Sequence, residues 1–576
     1  MSSLSGLYIG VSGLNVSQAA LNVTSHNLAN VDTKGFVRQQ VVQTDFRYVK
    51  WGDAFVSSLQ QGLGADFAAV KQVRDSFLDQ AYRQEIGREA FYKSQYEAIN
   101  EVEGLFGELE GESFQNTLNE FWISLQELAK EPDSVVARGS LIQTAVTFVE
   151  RAENISNQLN DYQINLNTRI QDEVDRINEI GKDIKTLNLK IRQYESTGVE
   201  KANDLRDQRN NLLDELGEIA NITYKENANG IVNVNLEGVP FVTEDHAYRM
   251  ETVRISESSK MLKPIWAENG GVDVYNLDRA PSSDKNTDVG SLKGLLLARG
   301  YKQANYTDIP VRENYETDNL YNLAVIDYNN TINSSVIMTV QAQFDQLIHG
   351  ITTIVNDVLS PNREVTLSDG TKIKILDEEK APVGMDSDKT MGEALFNRKS
   401  MPRYTEPEEI QIVNEDGVYE TITARIYNDE IFSDNYSLFT LGEIEVNPNI
   451  LQNYSYIPLS KNTGSGDFDI EATKELLAKW QEPFAVLSPN TLTVNNFNDY
   501  YTSFMAEIAN RGEQLNTIST NQASMVESIN NQRMEVTGVS SDEELTNLIK
   551  YQHAYNASAR YVNVVSEMLA DIINKL

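Results

Sequence analysis

LSGLYIGVSGLNVSQAALNVTSHNL, from Leu4 to Leu28, returns to one helical stripe every three or four residues. The stripe is Leu4, Leu7, Val11, Leu14, Gln18, Leu21, Ser25 and Leu28, and only Gln18 and Ser25 are polar. This spacing predicts a helix of about seven turns with a coiled-coil-like seam. It ends near Asn30, and Gly35 suits the turn that follows. The far end of the chain repeats the design. Ser541 and Glu544 have capping-box spacing. Leu545, Leu548, Gln552, Tyr555, Ala559, Val562, Ser566, Leu569, Ile573 and Leu576 then keep the same period. At 1.5 Å per residue this second helix measures about 54 Å. Two stripes of like character are natural partners, and their apolar members are the candidate interface. A pair buries one side of each stripe. Ile549, Val565, Met568 and Ile572 widen the C-terminal one, which leaves an apolar flank for further copies. The plainer alternative is that both helices pack on the protein's own core, and periodicity alone leaves both open.

A chain of 576 residues is too long for one core and implies three or four domains. Its 85 acidic residues against 49 basic ones give a formal charge of −36. Such a field repels nucleic acid and anionic lipid. Residues 1–50 carry a net +2 and residues 541–576 a net −2, so the whole excess lies between them. Neutral ends on an acidic body read as packing surfaces joined to a solvated part. The absence of cysteine removes disulfides, thiolate metal sites and thiol nucleophiles. No run approaches the roughly 18 apolar residues of a membrane span. The first basic residue is Lys34, so no cleavable signal is expected. A cytosolic protein fits these facts, and so does one exported by a route that reads no cleavable peptide.

Helical periods return at Asp75–Gln126, from Pro132 to about Thr197, at Ser335–Leu359 before Pro361, at Ile470–Trp480 and from Phe497 to Val536. Between them the period shortens. Asn221–Tyr224 and Ile231–Leu236 flank Asn229-Gly230, and Asp369-Gly370 and Asp416-Gly417 mark two further hairpins between Glu364 and Asn449. The predicted class is mainly α with β-rich insertions. Long helices at 1–50 and 537–576 form a terminal unit, 51–361 and 446–536 a helical rod with a small β segment near 220–290, and 362–445 a projecting β-rich insert.

Catalytic signals are missing. His26, His246, His349 and His553 make no close pair and no HExxH. Gly464-Ser465-Gly466 lacks the phosphate-loop pattern, and Asp467 with Asp469 lacks the rest of a calcium loop. No GxSxG elbow occurs, and no spacing selects a carboxylate pair. The expectation is a protein without enzyme activity, cofactor or metal.

SGLNVSQAALNVTSHNLANVDTKGFVRQ (Ser12–Gln39) and DEELTNLIKYQHAYNASARYVNVVSEMLADII (Asp542–Ile573) resemble the shared end motifs of the axial flagellar proteins of bacteria, the rod, hook and hook-associated proteins. Arg38-Gln39, VRDSFLDQAYR (Val73–Arg83), Phe121-Trp122, NDLRDQRNNLLDEL (Asn203–Leu216), Gly290–Leu296 and Val446–Asn449 are similar to the hook-associated branch. The resemblance implies that the terminal helices pair, line the inner tube and pack against those of neighbouring copies. It implies a structural role at the hook–filament junction of the extracellular flagellum, with hook protein on one side and hook-associated protein 3 on the other. It further implies type III export, with an export chaperone guarding the C-terminal segment. A hook or rod protein, or an axial protein displaying an enzyme in its insert, are the alternatives.

Overall fold

The computed structural model describes residues 2–50, 60–107, 113–196, 201–257, 259–413, 418–461 and 469–575. Helix α1 (Ser2–Ala29) leads into a long hairpin of β1 (Gln39–Asp45), β2 (Tyr48–Lys50), β3 (Gln60–Gly62) and β4 (Ala65–Gln72), with β1 on β4 and β2 on β3. Four helices follow: α2 (Ser76–Leu105), α3 (Phe114–Lys130), α4 (Val135–Glu195) and α5 (Asn203–Ile219). One antiparallel sheet holds β5 (Ile222–Glu226), β6 (Val232–Leu236) and β7 (Val239–Val242); a second holds β8 (Met250–Arg254), β9 (Leu262–Trp266) and β10 (Val272–Asp273). After α6 (Ser291–Arg299), α7 (Asp318–Asn330) and α8 (Val336–Leu359) comes the insert. It contains β11 (Asn362–Leu367), β12 (Lys372–Leu376), β13 (Phe396–Arg398), β14 (Glu408–Val413), β15 (Tyr419–Ala424) and β16 (Ile444–Val446). The chain closes with α9 (Pro448–Gln452), α10 (Ile470–Gln481), α11 (Phe497–Thr537) and α12 (Ser541–Lys575).

The longest helix is α4, 61 residues opened by the Ser134 hydroxyl, which accepts from the Ala137 amide. Its inward stripe, including Leu159, Leu166, Ile170, Val174, Ile177, Ile184 and Ile191, is buried along the whole length, because α2, α5, α6, α8 and the small sheets cover it. Near its start an aromatic block closes the rod. Phe114 meets Phe344 edge-on at 5.0 Å, Phe121 stacks on Phe148 at 5.3 Å, and Trp122 stacks on Trp480 at 5.2 Å. This block draws α3, α8 and α10 together from distant parts of the sequence.

The helices at 135–195, 336–359, 470–481 and 497–537 and the Asn229-Gly230 and Asp369-Gly370 hairpins fall where the periods place them. The Asp416-Gly417 tip, Gly464-Ser465-Gly466 and Asp467 lie outside the described residues. Two features differ from expectation. The segment after α1 is a hairpin laid along that helix, where a Cβ on Gly64 would strike the Ser12 hydroxyl and come within 3.3 Å of Ile9 Cα. The 362–445 segment does not project as a whole. β13 pairs with β16, and Leu395, Phe396, Phe439 and Ile444 lie in the rod's own core. Among the described residues, the four-stranded sheet β12–β11–β14–β15 lies outside that core, with β14 and β15 turning Glu408, Glu409 and Glu420 to water.

Candidate assembly interface at the paired ends

Helices α1 and α12 pack antiparallel, and the contact line is made of small residues. Gly6, Gly10, Ser17, Ala20, Thr24 and Asn27 are buried, with Gly13 half-buried between them, a heptad set one residue out of phase with the leucine stripe. A Cβ on Gly10 would lie 2.6 Å from Val562 Cγ2, and one on Gly13 would lie 2.7 Å from the Ser558 hydroxyl. A Cβ on Gly6 would lie 3.2 Å from the Tyr561 hydroxyl. Without side chains there, α12 approaches the α1 backbone closely and Val562 fills the dip.

At the other end of the pair a charged clamp replaces small residues. The Glu544 carboxylate is buried; it accepts from Asn27 Nδ2 at 3.1 Å and from Arg38 Nε at 2.8 Å. Arg38 Nη1 also reaches Glu543 at 3.1 Å. Asn27 completes the tie by exchanging two hydrogen bonds with the Gln39 backbone, 2.8 and 3.0 Å. The capping box expected from Ser541 and Glu544 is therefore not made. The Ser540 hydroxyl accepts from the Glu543 amide, and Glu544 is turned across to α1. Each hydrogen bond to a charged group contributes about 1.5–3 kcal/mol, so Glu544→Ala is expected to weaken the helix pair by roughly 2–3 kcal/mol. Amide exchange along α12 will accelerate while that of α4 stays unchanged; equal protection of α12 in wild type and variant contradicts the clamp.

The sequence-predicted interface residues surround this line. Leu7, Leu14, Leu21 and Leu28 are half-buried beside it, Val11 is exposed, and the side chain of Leu4 lies outside the described residues. On α12, Leu548, Tyr555, Ala559, Val562 and Leu569 are half-buried, whereas Leu545 and Ile573 are exposed. Only Glu544 and Val565 of α12 are buried. Its outer side bears Ile549, Val564, Met568 and Ile572, each about half exposed. The seam had a readable signal: Gly6, Gly10, Gly13, Ser17 and Ala20 repeat with the same 3-4 spacing as the leucines.

Behind the clamp, an ionic cluster knits α2, α5 and α11 together where they meet the ends. Arg533 of α11 bridges Asp79 of α2 and Asp214 of α5, both at 2.7 Å. Arg83 reaches Asp214 at 2.7 Å, and Arg74 reaches Asp79 at 2.9 Å and Asp207 at 3.6 Å. Burial works to raise Asp79, but Arg74, Arg533 and Arg83 outweigh it and hold this carboxyl below its ordinary value. Asp207 goes the other way: burial dominates over the Val37 amide, Arg74 and Gln72 and pushes it up to about 7. Among the described residues no group of His, Cys, Asp and Glu is arranged to hold a metal ion, and no helix is long and apolar enough to cross a membrane.

Three families match separate parts of the chain. Residues 99–372 match "Flagellar hook-associated protein FlgK helical domain", residues 530–576 "Flagellar basal body rod FlgEFG protein C-terminal", and residues 7–36 "Flagella basal body rod protein". The similarity also runs end to end. Flagellar hook-associated protein 1 of Bacillus subtilis is 25% identical over 594 aligned residues, covering 100% of this chain and 98% of that protein. The Escherichia coli protein of the same name is 24% identical, covering 98% of each. The chain belongs to the flagellar hook-associated protein 1 family. The solved flagellar hook junction protein FlgK from Burkholderia pseudomallei shares the fold, with a TM-score of 0.53 at 13% identity over 80% of this chain and 100% of that one. As a hook-associated protein 1 family member, the chain is a structural, non-enzymatic component of the extracellular flagellum at the hook–filament junction. Its end motifs now have physical content. Arg38-Gln39 is the clamp on α12, and NDLRDQRNNLLDEL is α5, whose Asp207 and Asp214 anchor the ionic cluster.

Proposed function

We propose that the paired ends are the polymerising element of a junction ring, built by copies of this chain and seated between hook protein and hook-associated protein 3. The apolar outer side of α12 carries the reading. A helix of 35 residues with two buried side chains is under-packed in the single chain. Isolated helices of this kind are marginal in water, so neighbouring copies complete the burial. The proposed parts are a terminal unit of α1, its hairpin and α12, a helical rod from α2 to α11, and the sheet β12–β11–β14–β15 on the rod's flank. Before assembly the same apolar side of α12 is what an export chaperone would cover on the way to the type III apparatus.

Two measurements test this. Hydrogen exchange on the monomer is expected to be faster in 2–29 and 541–575 than across 140–195, following local burial. Ends protected as strongly as 140–195 in a verified monomer contradict it. Immunogold labelling of intact flagella is expected to give one band between hook and filament; label along the filament overturns the ring.

A further inference from the structure

Helix α5 has two unlike sides. Leu213, Leu216 and Ile219 enter the rod's core, whereas Asn203, Asp204, Asp207 and Asn211 face the terminal unit. Asp207 accepts from the Val37 amide at 3.2 Å and from Gln72 Nε2 at 2.8 Å. Asp204 accepts from Gln39 Nε2 at 3.1 Å, and Asn203 Nδ2 donates to the Gln39 side chain at 3.3 Å. Gln72 Nε2 also donates to the Asn203 carbonyl at 3.0 Å, and Asn211 Nδ2 donates to the Lys34 carbonyl at 3.4 Å. Among the described residues, the rod's apolar core contains no residue from 2–72 or 541–575. The seam is held by side-chain amides and carboxylates and by the Arg38 amide donating to the Thr537 carbonyl at 2.9 Å, with Val37 a buried apolar side chain there.

Such a seam opens differently from an apolar one. Water replaces each hydrogen bond, so the net loss is only about 0.5–1.5 kcal/mol apiece. The connections are narrow: the link 73–75 between β4 and α2, and 538–540 between α11 and α12. The geometry points to an adjustable joint: the polar side of α5 positions the terminal unit against the rod and lets it re-angle, exchanging side-chain hydrogen bonds for water, while α1 and α12 stay paired and the rod stays folded. The joint is a property of the single chain; its use in a lattice rests on the assembly reading above, and the test below does not require that reading.

Asp207 adds a second handle. It faces Arg74 and Asp204, with Asp79, Asp214, Arg83 and Arg533 in the next layer. Its closed-joint carboxyl titrates at about 7, whereas a solvated Asp titrates at about 3.9. Closing therefore takes up a proton between those values. This contribution to closure is complete below about pH 4 and is lost as pH rises through about 7.

The chain has no cysteine, so introduced thiols are the only ones available for labelling. A spin-label pair at Thr186→Cys and Asn563→Cys spans the joint, and one at Thr186→Cys and Glu251→Cys stays within the rod; all three positions are exposed. Pulsed dipolar spectroscopy on the full-length monomer is expected to give a broader distribution across the joint than within the rod. It should shift toward the open arrangement between about pH 6 and about pH 8.5, and Asp207→Asn should abolish that shift. Asn203→Ala with Asn211→Ala should broaden the cross-joint distribution alone, with helical circular dichroism unchanged. A cross-joint width equal to the control in every variant overturns the joint. So does a double variant that broadens both distributions or melts the rod, which would make this side of α5 ordinary structural glue.

Discussion

Val562→Asp and Leu14→Asp are expected to stop filament growth by two different routes. Val562 is half-buried in the dip over Gly10, where a carboxylate would press against the α1 backbone without a partner. Pressing an unpaired charge there costs several kcal/mol, so α1 and α12 are expected to separate within each chain. Leu14 lies beside the seam and is half-buried. An aspartate there should leave the pair intact and place its charge on the side proposed to pack against a neighbouring copy. Both strains should show hooks without filaments and flagellin shed into the medium. In the purified monomers only Val562→Asp should lose helical circular dichroism and amide protection in 541–575. Normal filaments in both strains contradict a packing role for these ends, and equal helix loss in both monomers contradicts the distinction between seam and outer side.

Deleting the insert should separate its two parts even more sharply. Removing 365–440 takes Leu395, Phe396 and Phe439 from the core and leaves β16 without β13 and Asn356 without its two hydrogen bonds to the Phe396 backbone. Losing a buried phenylalanine alone costs about 3–5 kcal/mol, and two are lost here, which approaches the whole stability of a typical domain. That variant is expected to be insoluble. A narrower cut should be tolerated. Thr405 N donates to the Ile426 carbonyl at 2.8 Å, and Tyr404 bridges Tyr427, so the base of the β14–β15 hairpin is already closed. Replacing 407–423 by Asn-Gly keeps that base, and shortening a loop between adjoining strands changes closure entropy little. This variant should fold, be exported and support filaments. Thermal melts and motility in viscous medium check both; a soluble 365–440 deletion, or a misfolded 407–423 replacement, refutes the division.

Much of the body was legible because its helices are long and each has one covered side. The 61-residue α4 keeps its period from Leu141 to Ile191 because partners line it throughout. The ends were half legible. Leu548, Tyr555, Val562 and Leu569 flank the contact line, but on α1 the large residues drew attention from the glycines that set the helix separation. Apolar periodicity marks what can be buried, while close approach is marked by what is missing. The hairpin after α1 was not read at all. QQVVQTD alternates weakly, and most of β1 is exposed. The clamp and the ionic cluster join residues up to 517 apart in sequence, such as Asn27 and Glu544, so no local window contains them. The insert misled because β13 and β16 are three residues each, too short for a period, yet among the described residues they are the strands of this segment that enter the rod's core.

Helix α4 also fixes a length scale. Its 61 residues form one unbroken hydrogen-bonded column of about 92 Å at 1.5 Å per residue. Each end is tied to another element: Arg138 to the Pro132 and Ile457 carbonyls, and Glu195 to Arg206 of α5 at 2.8 Å. Such a column is a lever arm. A tilt of about ten degrees at the α5 end carries the far end sideways by about 16 Å, more than the width of a helix with its side chains. On the joint proposed above, a small change of angle at the ends would reach the rod's far tip as a large displacement, and the polar contacts of α5 would be its fulcrum.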